Sequence, residues 1–532
     1  LSLPRGILLL TLLFTVHLVA RAAFATDHYF SPTGDDANPG TSSQHPWKTL
    51  TPVATLPLAP GDRLLLQRGA TFHGSLALRA SGTSASPILL GSYGNGDLPV
   101  IDACGAPIAL TLENSSHWIV QDIAIINAPP STPPDKKPRS GILVRASSGN
   151  LIRDITLRRL LIHDIAGNDE RGGGCGILIQ AVNAPQKSHP ATSPASPPAL
   201  STAKPATFDA ITIEQCLLHD VPFNGIFVEN WPGRKRDPAG HLITPVTHLL
   251  IRDNLLYNVA GDAICIIGAD HALIEHNEVY RSSFGQTRGA KTPSAGIWPH
   301  SSDFTTMRYN RVEGLRGLLD ALAFDVDIEC HDTLVEHNLS RNNGNGFLLI
   351  CGTDGASLPH LSRTSRTLVR NNMSLDDAVE PRGSVLEIVS YVSDITFDNN
   401  LFLRTQKGKR NLLLCGGWLH KTWPQNITFT HNIFATTGTF QTVVGNATGL
   451  AFHDNLWSGT FSPTFPDTTA HSADPQFLAW PQSEQWQVSL ANRSPAIDVG
   501  FKPFSCAGVG LTPGNPWLSI RDQTLTLNPL PQ

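Results

Sequence analysis

An asparagine that closes a short apolar strand, and then returns, restricts this chain more than any other feature of its sequence. LLIRDNLLYN from Leu249, ALIEHNEVYR from Ala272, TTMRYNRVEG from Thr305 and TLVEHNLSRN from Thr333 share one frame. TLVRNNMSLD from Thr367, ITFDNNLFLR from Ile395, ITFTHNIFAT from Ile427 and LAFHDNLWSG from Leu450 continue it. The asparagines are Asn254, Asn277, Asn310, Asn338, Asn372, Asn400, Asn432 and Asn455, spaced by 23, 33, 28, 34, 28, 32 and 23 residues. ITIEQCLLHD from Ile211 and ITLRRLLIHD from Ile155 fit without the Asn, and WIVQDIAIIN from Trp118 begins the series. Strand alternation at such a period, without amphipathic helices, predicts a β-solenoid. The shortest spacing suits three strands and tight turns per coil; longer ones are loops inserted at a turn. The Asn column reads as architecture, each amide bonding to the neighbouring coil and taking the left-handed bend between strands.

A further strand in each coil usually opens with Gly: GILVR at Gly141, GILIQ at Gly176, GIFVE at Gly225, AICII at Ala263, GIWPH at Gly296, AFDVD at Ala323, GFLLI at Gly346, VLEIV at Val385 and NLLLC at Asn411. Alternate side chains of a strand face opposite sides. The second and fourth positions are large and apolar and are expected to fill the interior. The third position then points outward and reads Leu143, Leu178, Phe227, Cys265, Trp298, Asp325, Leu348, Glu387, Leu413. The fifth reads Arg145, Gln180, Glu229, Ile267, His300, Asp327, Ile350, Val389, Cys415.

Composition narrows the class. The 532 residues carry 39 basic and 44 acidic side chains, a net charge of −5 and no dense basic run, which argues against nucleic acid as a partner. A hydrophobic content of 41% argues against extensive disorder. Arg5, an apolar run from Ile7 to Ala20 and Ala23-Phe24-Ala25 have the layout of a secretory signal, so residues 1–25 are read as a signal peptide and the protein as secreted or periplasmic. No other stretch is apolar enough to span a bilayer, so no membrane span is expected after cleavage. The eight cysteines are scattered; Cys216, Cys265, Cys351 and Cys415 sit in apolar runs as small buried hydrophobes, and the lack of C-x-x-C argues against a cysteine zinc site. Residues 26–100 read as an N-terminal cap with the first coils and 101–458 as the solenoid body, with a Pro-rich exposed loop at 184–206. Residues 459–532 read as a C-terminal capping segment over the open end of the core. A monomer is expected.

SPTGDDANPGTSSQHPWKTL near the start, PGDRLLLQRGATF, the Asn-ended coils and the closing SPAIDVG resemble the right-handed parallel β-helix proteins of the pectate-lyase-like superfamily. The resemblance covers nearly the whole mature chain. It implies an all-β, single-stranded right-handed parallel β-helix of roughly ten or more coils with a cap at each end. AGIWPHSSD and ALAFDVDIECHDTLVEHNLSRNNGNGFLLICG are similar to a subgroup of β-helix repeat proteins that includes glycoside hydrolases. The superfamily also holds lyases, epimerases, esterases and adhesins, and fold alone does not transfer a reaction. Polygalacturonases carry paired Asp after a Gly, where this chain has only GDAICI at Gly261, and their Arg-Ile-Lys element is absent. The Asp set with which pectate lyases hold calcium is not evident.

The outward columns therefore carry the chemistry. Asp325 and Asp327, two apart on one strand, should have Cα atoms about 6.7 Å apart, with Glu387 two coils away at about 9.6 Å. Glycoside hydrolysis uses two carboxyls about 5–5.5 Å or about 6.5–9.5 Å apart, and side-chain freedom spans both. Close like charges raise one pKa and make a proton donor beside an ionised partner. Asp325 and Asp327 are read as the catalytic pair, Glu387 as an alternative partner and His300 as a supporting group. Trp298 offers a flat face for a sugar, and Glu229 and Trp231 a distal subsite. The plain alternative for the Asp pair is a solvated surface pair or a calcium site; no other cofactor is expected. Arg288, Lys291, Arg316 and Arg382 in bordering loops keep a lyase reading open, since β-elimination needs cations to neutralise a uronate. The reading is an exported enzyme acting on a polysaccharide or oligosaccharide, a glycoside hydrolase with Arg316 among its substrate contacts. A uronate-directed polysaccharide lyase and a non-catalytic glycan-binding solenoid are its rivals.

Overall fold

The computed structural model describes residues 25–129, 137–147, 149–168, 173–182, 205–285, 292–353, 363–417, 422–462, 467, 469, 471–479 and 487–527. Residues 1–24 of the segment read as a signal peptide (1–25), and residues 184–204 of the Pro-rich segment read as a loop (184–206), lie outside these residues.

Alternation of large apolar and polar residues lets each short strand bury one side, and three such strands close a coil around a common interior. Successive coils stack in parallel register. The first sheet begins with Asp27–Phe30 and Arg63–Gln67 and ends with Thr448–His453. The second runs from Thr71–His73 through Leu255–Val259 to Leu456–Ser462. The third runs from Leu76–Leu78 through Leu322–Val326 and Gly346–Cys351 to Lys409–Gly416. The expected all-β parallel solenoid is the observed fold.

Inside, the first sheet stacks Ile251, Ile274, Met307, Val335 and Val369 in one column, which passes into Phe397, Phe429 and Phe452. Those three rings stack at 4.6 Å centroid spacing, the inter-strand distance filled by aromatic faces. At the bend to the second sheet the asparagines form a continuous ladder. The backbone N–H and Nδ2 of Asn254 both donate to Asn277 Oδ1, at 3.1 and 2.9 Å, and the pattern repeats up to Asn432 and Asn455. Each Nδ2 also donates to a main-chain carbonyl, as Asn338 does to Met307 at 2.9 Å. The left-handed residue is not the Asn but the one before it. Asp253, His276, Tyr309, His337, Asn371, Asn399, His431 and Asp454 have φ between 52° and 58°. The kink falls there because the Asn itself must turn inward to meet the next coil.

The chain after the last coil runs back along the outside. Val488, Leu490, Ala496, Val499, Phe501 and Phe504 cover Leu339, Met373, Leu401, Ile433 and Leu456 on the outer face of the second sheet. Farther along, Trp517 Nε1 donates to the Gln215 carbonyl at 2.6 Å, and buried Glu278 accepts from the Leu511 amide at 3.0 Å and from Arg521 at 3.1 Å. The tail straps the flank of coils that precede it by more than two hundred residues.

The third sheet corrects two of the expected outward columns. Leu322 pairs with Gly346 and Ser384 with Asn411, so Gly346 and Asn411 stand one position earlier than Ala323 and Val385 do. A shift of one residue exchanges the faces of a strand. Leu348, Ile350, Leu413 and Cys415 accordingly lie in the interior, and Leu349, Cys351, Leu414 and Gly416 hold the outward positions. Gly346 is required there because a Cβ would lie 1.9 Å from the Ser384 carbonyl oxygen.

Candidate active site

The site grows from the third-sheet strand Leu322–Val326 and the turn that follows it. Phe324 and Val326 are buried in the core, which aims Asp325 outward between Trp298 on one side and Leu349 on the other. Asp327 leaves the strand; its amide still donates to the Pro299 carbonyl at 3.1 Å, holding it beside the His300 coil. Its Oδ1 accepts from the Ile328 amide and from the Cys351 thiol, both at 2.7 Å. Glu387 pairs with Leu349 and so stands two coils from Asp325, as expected.

Two further carboxyls join them. Asp320 lies in the turn that feeds the strand, bridged to Ser294 and left-handed at φ 58°. Asp262 is buried at the head of the Ile264–Ile267 strand, its Oδ1 accepting from the Ala295 amide at 2.9 Å. Burial first, then the charges of Asp327, Glu387 and Asp262, push Asp320 up to about 7. Burial also pushes Glu387 to about 7, against the pull of a hydrogen bond from Ser384. Asp325 is pushed well above the ordinary carboxylate range by burial, then by Asp327, Asp320 and Asp262. These shifts have one origin: several carboxyls share a low-dielectric face and cannot all ionise.

Asp325 is not the solvated group expected from its outward position. It is 5% exposed, and its Oδ1 is buried without a hydrogen-bond partner. The indole N–H of Trp298, on the neighbouring strand, is likewise buried and unpartnered. Two polar atoms on adjacent strands are thus buried without a partner, an arrangement that is costly unless a ligand completes it. The floor beside them is apolar, made of Leu322, Leu349, Cys351 and Val389.

The remaining expected residues divide. His300 is buried, with Nδ1 2.8 Å from Ser301 Oγ and its ring against the edge of Trp231 at 5.3 Å. The short turn Trp231–Arg234 folds back over the sheet, so Trp231 reaches a coil its sequence position does not suggest. It is 38% exposed. Its Nε1 donates to Glu229 Oε1 at 3.2 Å, and Glu229 Oε2 accepts from Gln180 at 2.8 Å. Arg316 donates to the carbonyls of Leu315 and Asn342, at 2.8 and 2.7 Å, near Glu380 and Asp377 instead of the Asp320–Asp327 group. Arg288 and Lys291 lie outside the described residues. Asp320 and Cys351 were missed from sequence. Asp320 sits in an irregular turn, and Cys351 was hidden by the one-residue shift that Gly346 signals.

One donor atom each from Asp325, Asp327 and Cys351 lies within 4.8 Å of the others. A thiol in place of a third oxygen suits a borderline-soft ion better than calcium.

The sequence model described as the right-handed beta helix region matches residues 206–402. The chain is a right-handed parallel β-helix. Over 402 residues it is 27% identical to a lacto-N-biosidase of Bifidobacterium longum subsp. longum, a match covering 61% of this chain and 25% of that protein. The chain thus spans about a quarter of that relative's length. Among solved structures, the GH136 lacto-N-biosidase of Eubacterium ramulus superposes with a TM-score of 0.58 at 22% identity, over 80% of this chain and 68% of that one. A mannuronic acid specific polysaccharide family 6 lyase from human gut microbiota gives 0.57 at 15% identity, over 94% and 98%. Both structural likenesses are likenesses of fold.

Proposed function

We propose that this β-helix is a glycoside hydrolase acting on an oligosaccharide at the Asp320–Asp325–Asp327–Glu387 group. One observation carries the reading. A part-exposed carboxyl, Asp320, is pushed to about 7 beside Asp327, whose carboxylate accepts two hydrogen bonds. A group titrating near working pH is the best general acid, and a neighbouring carboxyl supplies the nucleophile or base. Asp320 therefore protonates the leaving oxygen and Asp327 attacks or activates water. This replaces Asp325 by Asp320 as the partner of Asp327. Asp325, pushed well above the ordinary carboxylate range by burial, and Trp298 offer the unpaired polar atoms to the sugar. Glu387, also near 7, bonds sugar hydroxyls, and the exposed face of Trp231 over His300 forms the stacking wall.

The sequence relative named lacto-N-biosidase favours an oligosaccharide containing lacto-N-biose, encountered outside the cell after export of the chain. The lyase reading is less favoured because Arg316 is spent on backbone carbonyls. Among the described residues, no helix is long and apolar enough to cross a membrane.

The test incubates the full chain with an aryl lacto-N-bioside and with a panel of neutral and uronate-rich glycans. Aryl release, reducing ends and the ultraviolet absorbance of unsaturated uronates are read together. Hydrolysis that falls by about 10²–10⁴ in both Asp320→Asn and Asp327→Asn supports the reading. Unsaturated products would overturn it in favour of the lyase. Retention of a glycan without turnover would leave a binding solenoid.

A further inference from the structure

On the outer face of the second sheet, far along the solenoid from the carboxylates, His73 and Asp102 stand opposite one another on adjacent strands, Thr71–His73 and Val100–Asp102. The chain then turns sharply. Cys104 is left-handed at φ 53°, its amide donates to Asp102 Oδ1 at 2.9 Å, and the Gly105 amide donates to Asn127 Oδ1 at 3.1 Å. These bonds hold the turn closed and bring the thiol back over the strand. Cys104 Sγ lies 3.6 Å from His73 Nδ1, and the free Asp102 Oδ2 lies 3.3 Å from the same nitrogen. One donor atom from each of the three residues falls within 4.8 Å of the others.

Those separations have a chemical meaning. Zinc bonds of about 2.3 Å to sulfur and about 2.0–2.1 Å to nitrogen and oxygen, at tetrahedral angles, place S and N about 3.5 Å apart and N and O about 3.4 Å apart. The observed 3.6 and 3.3 Å match both edges. An imidazole, a thiol and a carboxylate select zinc and its neighbours over magnesium and calcium. The His73 side chain is 69% exposed, so the fourth position faces solvent.

We propose that His73, Asp102 and Cys104 form a binding site for a zinc-class divalent ion that staples two successive coils near the start of the solenoid. Short-motif reasoning overlooks it because its donors come from different coils, and C-x-x-C spacing is not needed when stacking supplies the geometry. The site shares no residue with the carboxylate group.

The experiment uses the full chain, kept reduced with a phosphine and stripped of metal. Zn²⁺ is titrated calorimetrically, and Co²⁺ is followed by its thiolate charge-transfer absorption. The titrations are made in a Cys351→Ala background, which removes the only thiol of the Asp325–Asp327–Cys351 group. One equivalent of Zn²⁺ should bind there, and adding His73→Ala or Cys104→Ser should each weaken it at least about tenfold, the scale known even for outer-shell changes. Cys104→Ser should also abolish the charge-transfer band. All three side chains are at or near the surface, so the variants should melt with the parent in chelator, and zinc should raise the melting temperature of the parent alone. Absence of binding, or binding equal in parent and both variants, would overturn the proposal and leave three hydrogen-bonded side chains.

Discussion

Replacing Asn338 by alanine removes four hydrogen bonds from the middle of the ladder. Its Nδ2 donates to the Met307 carbonyl and to Asn372 Oδ1, at 2.9 and 3.0 Å; its Oδ1 accepts from the amide and the Nδ2 of Asn310, at 2.9 and 3.1 Å. Not all four losses leave a group stranded. Asn310 Nδ2 still reaches the Ile274 carbonyl, and Asn372 Oδ1 still accepts from the backbone of residue 338. The Asn310 N–H and the Met307 carbonyl lose these partners in a site where Asn338 is wholly buried. At about 1–3 kcal/mol for each buried group left unpaired, the cost is about 2–6 kcal/mol. The assay is urea unfolding of parent and variant, with hydrogen exchange of a peptide spanning 305–315 to follow the Asn310 amide. Asn446→Ala, at an exposed asparagine, serves as the control and should change stability by less than about 0.5 kcal/mol. If Asn338→Ala behaves like the control and the Asn310 amide stays protected, the ladder does not hold the coils together.

Other expectations follow from the carboxylate group and the tail. Asp320 and Glu387 titrate near 7 when folded and near 4 when unfolded, so between those values the folded protein holds protons that the unfolded chain has released, and stability falls as pH rises across the window. Asp320→Asn and Glu387→Gln should each raise the melting temperature by a few degrees at pH 8 and by little at pH 4, and an equal gain at both would contradict the burial argument. Hydrolysis should decline above about pH 7 as Asp320 ionises, and this limb should persist in Glu387→Gln if kcat/KM is followed across pH. Cys351→Ala removes the thiol donor to Asp327 and should lower kcat about tenfold with KM kept, the scale of one hydrogen bond. Glu278→Gln should weaken the hold on Arg521 and speed proteolytic clipping after residue 510; an unchanged clipping rate would show that the strap does not depend on that carboxylate.

The solenoid was legible in the sequence because each coil is decided locally. An apolar residue at every second position of a strand and, from Asn254 to Asn455, an asparagine at one bend of each coil define a unit, and the only neighbours that unit needs are copies of itself. The position of Asp325, Trp298 and Glu387 on one outward face followed from the same alternation. What the alternation could not supply was phase and turn. Gly346 and Asn411 begin their strands one residue early, which is visible only when the strands are laid in register, and that shift carries Cys351 to Asp327. Asp320 has no periodic position; it reaches the group through an irregular turn whose path is set by the coils above and below. The burial of Asp325 was equally hidden, because an outward strand position says which side a carboxyl leaves from and not what stands over it. The pKa shifts depend on that same enclosure, since a charge is costly only where water is excluded. Sequence periodicity determined the scaffold, and the tertiary stacking of distant turns decided which acids share a low-dielectric face and so which of them can give up a proton near neutral pH.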